Sequence, residues 1–194
     1  KTAALTMYLA SGEEWERNTA HRLLLERKDK TSVPALKKIV VESVFPESRA
    51  RAVWLLNSLE SLDLITLKKA LSDKVSGVRE QAVFLAGILS DQHPDLVSSL
   101  VSASADEAIR VRYNSALVLG SIEGQQVVGA LARVAARDGA DKWFRAAVLS
   151  GIGKRMPEFL TAFRAQQQAE PIAFASVMKD LGRLFGSGAS TGPW

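Results

Sequence analysis

Cysteine is missing from all 194 residues, and histidine occurs only twice, at His21 and His93. The first absence excludes disulfides, thiolate metal sites, a cysteine nucleophile and covalent haem attachment within this sequence. The second leaves few side chains that titrate near neutral pH. Aromatic residues are scarce at 7%. No apolar run approaches the roughly 18–20 residues that cross a bilayer. Neither charge sign dominates, since 25 Lys and Arg against 21 Asp and Glu give +4. That is far from the dense positive charge of a dedicated nucleic-acid binder, so nucleic acid is not an expected partner. No cofactor, metal or membrane insertion is expected. Starting at Lys1 without a basic-then-apolar leader, the chain reads as a processed protein or an excised fragment.

What the sequence has instead is a repeat. Val78-Arg79 with Gly87, Val111-Arg112 with Gly120 and Phe144-Arg145 with Gly153 recur at a gapless 33-residue step. Ala70, Ala103 and Ala136 keep the same period, as do Val83, Ala116 and Leu149, while Asp73 and Asp106 each stand six residues before their arginine. Self-similarity at this length marks an array of supersecondary units stacked on one another.

The units are helical. Val78, Ala82, Leu85, Ala86 and Leu89 recur at three and four residues and form one apolar stripe. Pro34, Pro46, Pro94, Pro157 and Pro171 each precede such a stretch, where the missing N–H and fixed φ suit a first turn. Ser11-x-x-Glu14 reads as a capping box, and Ser76, Asp106 and Asp141 as N-caps. The pattern predicts about five antiparallel hairpins: 13–28 with 33–44, 47–60 with 63–72, 75–90 with 94–103, 107–121 with 124–137, and 140–153 with 157–168. Short helices near 2–10 and 171–185 cap the ends. The expected fold is all-α, a right-handed α-α superhelix over residues 1–185, followed by a Gly/Ser-rich flexible tail, 186–194.

Asp followed six residues later by Val-Arg, then an apolar stripe with small residues, resembles the HEAT repeat. The series Trp15-Glu-Arg-Asn-Thr-Ala-His-Arg-Leu-Leu-Leu-Glu-Arg27, Arg51-Ala-Val-Trp-Leu-Leu56, Val78-Arg-Glu-Gln-Ala82, Val111 to Gly120 and Ala132 to Ser150 is similar to the HEAT region of PVC-type haem-binding dehydrogenase proteins. In that family a sugar-dehydrogenase-like propeller precedes the helical region and a c-type cytochrome domain follows it. The resemblance covers about residues 10–165 and implies a bacterial, extracytoplasmic, non-catalytic spacer and protein-interaction scaffold. It carries over no catalytic or haem-binding residue, because neither flanking domain is present. The alternatives are a HEAT-like alkylpurine DNA glycosylase and a free-standing adaptor that binds a protein along its concave side.

The candidate sites follow from the repeat. Arg79, Arg112 and Arg145 are expected to form a structural ladder with Asp73 and Asp106, its third rung bent or missing because Gly139 stands where an acid is required. Lys37, Lys38, Lys68, Lys69, Arg133 and Arg137 fall on second helices and form a candidate concave basic surface. Trp15, Trp54 and Trp143 lie on first helices and are expected to pack in the core or between repeats. His21 is mid-helix and His93 adjoins a helix start; neither has the close partners that acid–base or metal chemistry requires. Gly151-Ile-Gly-Lys-Arg155 echoes a phosphate loop but lacks its spacing and its Ser or Thr, and reads as a helix end.

Overall fold

Among the described residues of the computed structural model, 1–166 and 170–188, every regular element is helical. The chain divides into two units, Lys1–His93 and Pro94–Trp194. The first unit contains α1 (Thr2–Leu9), α2 (Glu14–Arg27), α3 (Val33–Glu42), α4 (Pro46–Ser58), α5 (Leu64–Leu71) and α6 (Ser76–Leu89). The second contains α7 (Leu96–Ala103), α8 (Ile109–Gly120), α9 (Gln125–Asp138), α10 (Lys142–Ser150), α11 (Met156–Arg164) and α12 (Pro171–Gly188). Pro46 and Pro171 open their helices, and Pro34 and Pro157 lie in first turns, as a residue without an N–H must.

Each unit is two layers deep. In the first, α2, α4 and α6 lie side by side, backed by α1, α3 and α5. In the second, α8 and α10 form one layer and α7, α9 and α11 the other, with α12 against α9 and α10. This is an all-α fold of the solenoid class. Two of the expected hairpins are in contact, α4 with α5 and α8 with α9, while other close neighbours differ from the expected ones. α1 packs on α2, α3 on α4, α5 on α6 and α7 on α8, whereas α2 and α3, like α10 and α11, are not close. Both of those open connections contain a 3-10 turn, Lys30–Ser32 and Gly153–Arg155.

The core follows the stripes. Val78, Ala82, Leu85 and Ala86 are buried, as are Leu36, Leu55, Leu56 and Leu67 elsewhere in the first unit. Each fully buried Leu or Val contributes about 1.5–3 kcal/mol by leaving water, so stability is spread over many similar layers. In the second unit Phe159, Phe163 and Phe174 stack with centroids 5.7 and 5.2 Å apart, joining α11 to α12. α12 extends to Gly188, three residues into the segment expected as tail; the remainder of that segment, 189–194, lies outside the described residues.

Glycine is obligatory at one contact. A Cβ built on Gly151 would lie 2.2 Å from Gly120 Cα, so the ends of α8 and α10 meet backbone to backbone. Gly151→Ala is therefore expected to destabilise the protein by about 1–3 kcal/mol or more. Gly77→Ala, where a Cβ meets nothing within 4 Å, should be neutral or stabilising by up to about 1 kcal/mol. Denaturant unfolding of the two variants checks the contrast; equal stabilities would refute the contact.

Candidate functional site

The repeated arginines sit one turn into the first-layer helices, and each reaches back six residues to a backbone carbonyl at the preceding turn. Arg79 Nη1 donates to the Asp73 carbonyl at 2.8 Å, Arg112 to Asp106 at 2.8 Å and Arg145 to Gly139 at 2.9 Å. Two further arginines do the same: Arg17 donates to Ser11 at 2.9 Å and Arg49 to Ser43 at 2.8 Å. The turns so clamped join α1 to α2, α3 to α4, α5 to α6, α7 to α8 and α9 to α10, which accounts for the close packing of those pairs.

In four of the five turns, all but that at Gly139, the residue six places before the arginine also folds the turn through its side chain. The N–H of Val75 donates to Asp73 Oδ1 and that of Ala108 to Asp106 Oδ1, both at 2.8 Å. Ser11 Oγ accepts from the Glu13 N–H and Ser43 Oγ from the Phe45 N–H in the same way. Ser11 and Asp106 are thus turn residues rather than helix caps, and Ser76 lies inside α6. Asp141 does cap α10, accepting from the Trp143 and Phe144 N–H groups.

The ion pairs run forward, each to an acid further along the chain. Arg49, not Arg79, holds the Asp73 carboxylate, through Nε at 2.6 Å and Nη2 at 2.7 Å. Arg112 holds Asp138 through Nε at 2.8 Å and Nη2 at 2.7 Å, in place of Asp106. Arg145 Nε reaches Asp180 on α12 at 2.6 Å, so the third rung is complete without an acid at Gly139. The first of these pairs is deeply buried, its side chains only 4% and 9% exposed. Hydrogen bonds to the carboxylates raise the pKa of Arg49 and Arg112. Burial pushes the Asp73 carboxyl up, but the Arg49 hydrogen bonds, the Val75 N–H and the Arg49 charge outweigh it and hold the pKa low.

Arg17 is the exception. It is 8% exposed, its guanidinium lies 5.8 Å from the Phe45 ring centroid, and its Nε has no hydrogen-bond partner. Ser43 occupies the position that Asp73 holds relative to Arg49, so the carboxylate is lacking.

The candidate basic surface is only partly free. In the first unit Lys37 Nζ lies 2.5 Å from Asp63 and Lys38 Nζ 3.7 Å from Glu42, while Lys68 and Lys69 are exposed in the last turn of α5, where cations suit the helix dipole. In the second unit Arg133 and Arg137 are exposed on α9. The tryptophans depart from expectation. Trp15 is 76% and Trp143 60% exposed, the latter with Lys142 Nζ 5.1 Å from its ring centroid, and only Trp54 is partly covered, its Nε1 donating to Gln81 at 2.9 Å. His21 is half-buried, and burial, followed by the charge of Arg51, lowers its pKa. No cluster of metal-ligating side chains occurs among the described residues. In the segment that echoes a phosphate loop, Arg155 donates to the carbonyls of Gly120, Ile122 and Gly151.

No protein-family model matches the sequence, and no curated protein matches it. Among solved structures, the chain is similar to a designed armadillo repeat protein in complex with the peptide (KR)4, at 16% identity and TM-score 0.56 over 92% of this chain and 97% of that one. A second, an engineered protein, aligns at 15% identity and TM-score 0.47 over 91% and 95% of the two chains. The first likeness establishes an armadillo-like all-α repeat fold.

Two predictions test the charges. Ser43→Asp should supply the carboxylate that Arg17 lacks and stabilise the protein by about 1–3 kcal/mol, whereas Arg49→Met, which strands Asp73, should cost about 3–5 kcal/mol. Thermal and denaturant unfolding check both, and destabilisation by Ser43→Asp would refute the register. The second concerns acid. Burial pushes the Asp63 carboxyl up, but hydrogen bonds from Lys37 and Thr66 and the Lys37 charge bring its pKa down to about 2. Its stabilising contribution is complete above an unfolded pKa of about 3.9 and is lost as pH falls through about 2. Asp63→Asn should therefore flatten the dependence of the denaturant midpoint on pH between about 4 and 2.

Proposed function

We propose that the chain is a non-catalytic helical-repeat scaffold whose second-layer helices hold a protein surface, either a neighbouring domain of its own chain or a separate partner. One observation carries this reading. First-layer arginines are engaged in turn clamps and buried pairs, while Lys68, Lys69, Arg133 and Arg137 on the second layer are exposed with no ion-pair partner among the described residues. The designed armadillo protein with this fold is in complex with a basic peptide. Cations at Lys68 and Lys69 in the first unit, and at Arg133 and Arg137 in the second, would each repel such a peptide, so a partner of either face carries carboxylates there.

The resemblance to PVC-type dehydrogenase proteins extends the proposal to a spacer between a dehydrogenase-like propeller and a cytochrome c domain of a larger, extracytoplasmic bacterial protein. No described helix is long and apolar enough to cross a membrane. The glycosylase reading requires an indole and a carboxylate facing each other in a cationic channel. Against it, Trp15 and Trp143 stand exposed near the starts of first-layer helices, and the Trp54 N–H is bound to Gln81.

In the full-length gene product, amine crosslinking with mass spectrometry is expected to join Lys68 or Lys69 to another domain or to a bound protein. Recovery of both lysines with dead-end modification only would overturn the scaffold reading. Salt-dependent affinity for duplex DNA with release of an alkylated purine would establish the glycosylase instead.

A further inference from the structure

We infer that the groove between α9 and α11 binds an extended peptide segment carrying a basic side chain at one end and an acidic one four or five residues away. The inference rests on the protein-binding reading above and names the chemistry of the partner. Two adjoining hollows form the groove. One of about 890 Å³ is lined by Glu123, Gln125, Gly129, Glu158, Ala162 and Ala165. The other, of about 430 Å³, is bordered by Ser104, Arg133, Arg137, Gln166 and Glu170.

The hollows follow one another along α9. Gln125, Gly129, Arg133 and Arg137 recur every fourth residue down one face of α9, and a Cβ on Gly129 would lie 3.6 Å from Arg133 Nη1. On α11 the lining passes from Ala162 and Ala165 in the first hollow to Gln166, just past the helix end, in the second.

The groove is bipolar. Glu123 and Glu158 stand where both helices begin, and Arg133 and Arg137 lie toward the end of α9. Arg155 borders the acidic end, but its guanidinium is engaged by three backbone carbonyls. Glu170 borders the cationic end without an ion pair to either arginine, and Asp138 is held by Arg112. Helix dipoles favour acids at first turns and cations at last turns, which explains the signs of Glu158 and Arg137. They do not explain Gly129. Glycine in a helix interior is less stable than alanine, and here a Cβ would meet only the tip of one flexible side chain at an ordinary distance. Packing does not require this glycine; what it provides is an open floor between the two charged ends.

The length follows. From Glu158 to Gln166 the groove runs about 12 Å at 1.5 Å per residue, which an extended chain at about 3.3 Å per residue covers in four steps. Alternate side chains of such a peptide face the floor. Lys-Ala-Val-Ala-Glu therefore directs its cation, valine and carboxylate into the groove together, and either chain direction satisfies the charges.

Fluorescence anisotropy with that labelled, end-capped peptide and its like-charged forms, Lys-Ala-Val-Ala-Lys and Glu-Ala-Val-Ala-Glu, tests the inference on the full chain. The bipolar peptide is expected to bind about tenfold tighter than either control. Gly129→Leu, and more mildly Gly129→Ala, should keep or raise the melting temperature while weakening that binding, and Glu158→Lys should shift preference to the acidic peptide. Equal affinity for the acidic and bipolar peptides, or full affinity in a folded Gly129→Leu protein, would overturn the bipolar groove. Absence of binding to all three would also overturn it, yet would leave the crosslinks expected of a scaffold unaffected.

Discussion

A guanidinium reaching back six residues to the carbonyl of the preceding turn is the interaction on which this fold depends. It occurs at Arg17, Arg49, Arg79, Arg112 and Arg145. A tight reversal between helices leaves carbonyls without helical partners, and a fixed planar cation with several donors satisfies them without lengthening the loop. The clamp sets which helices lie close. It also gives the arginine, rather than the apolar stripe, the strictest position in the repeat, since stripes accept Val, Leu or Ala while the clamp accepts one side chain.

Because the clamp buries charge, a carboxylate follows. Arg49 with Asp73 and Arg112 with Asp138 are close, two-pronged and shielded from water, unlike the exposed Lys38–Glu42 contact. Exposed pairs of that kind contribute little, whereas stranding one partner of a buried pair is severe. The five clamp arginines thus go to architecture, while Lys68, Lys69, Arg133 and Arg137 on the other layer stay accessible.

Much of this was legible in the sequence. Helix number, helix ends and the all-α class follow from proline placement and three-four periodicity, and the arginine of the repeat was visible at Arg79, Arg112 and Arg145. Arg17 and Arg49 were not, since their steps to the next arginine are 32 and 30 residues rather than 33. Ser11 and Ser43, standing six residues before them, were the available signal, because serine can fold the same turn as aspartate. The forward direction of the pairs was hidden for another reason. Asp73 is nearer in sequence to Arg79 than to Arg49, yet its backbone serves one and its carboxylate the other. Apolar neighbours at helical spacing likewise favoured packed tryptophans, but the exposed Trp15 and Trp143 show that such spacing does not fix which side of a helix is covered. The groove between α9 and α11 was not legible, because its floor is made by what Gly129 lacks.

The forward reach of Arg49, Arg112 and Arg145 ties each of their helices to an acid further along the chain. Within the first unit, melting of α1 and α2 leaves Arg49 and Asp73 together. Within the second, detachment of α12 removes Asp180 and abandons Arg145 with its carbonyls alone. Loss of α12 thus strips a counter-ion from the helix it packs on, whereas loss of α1 and α2 strips none, because Arg17 has no carboxylate partner. Fraying at the carboxyl-terminal end therefore carries an electrostatic cost that fraying at the amino-terminal end lacks.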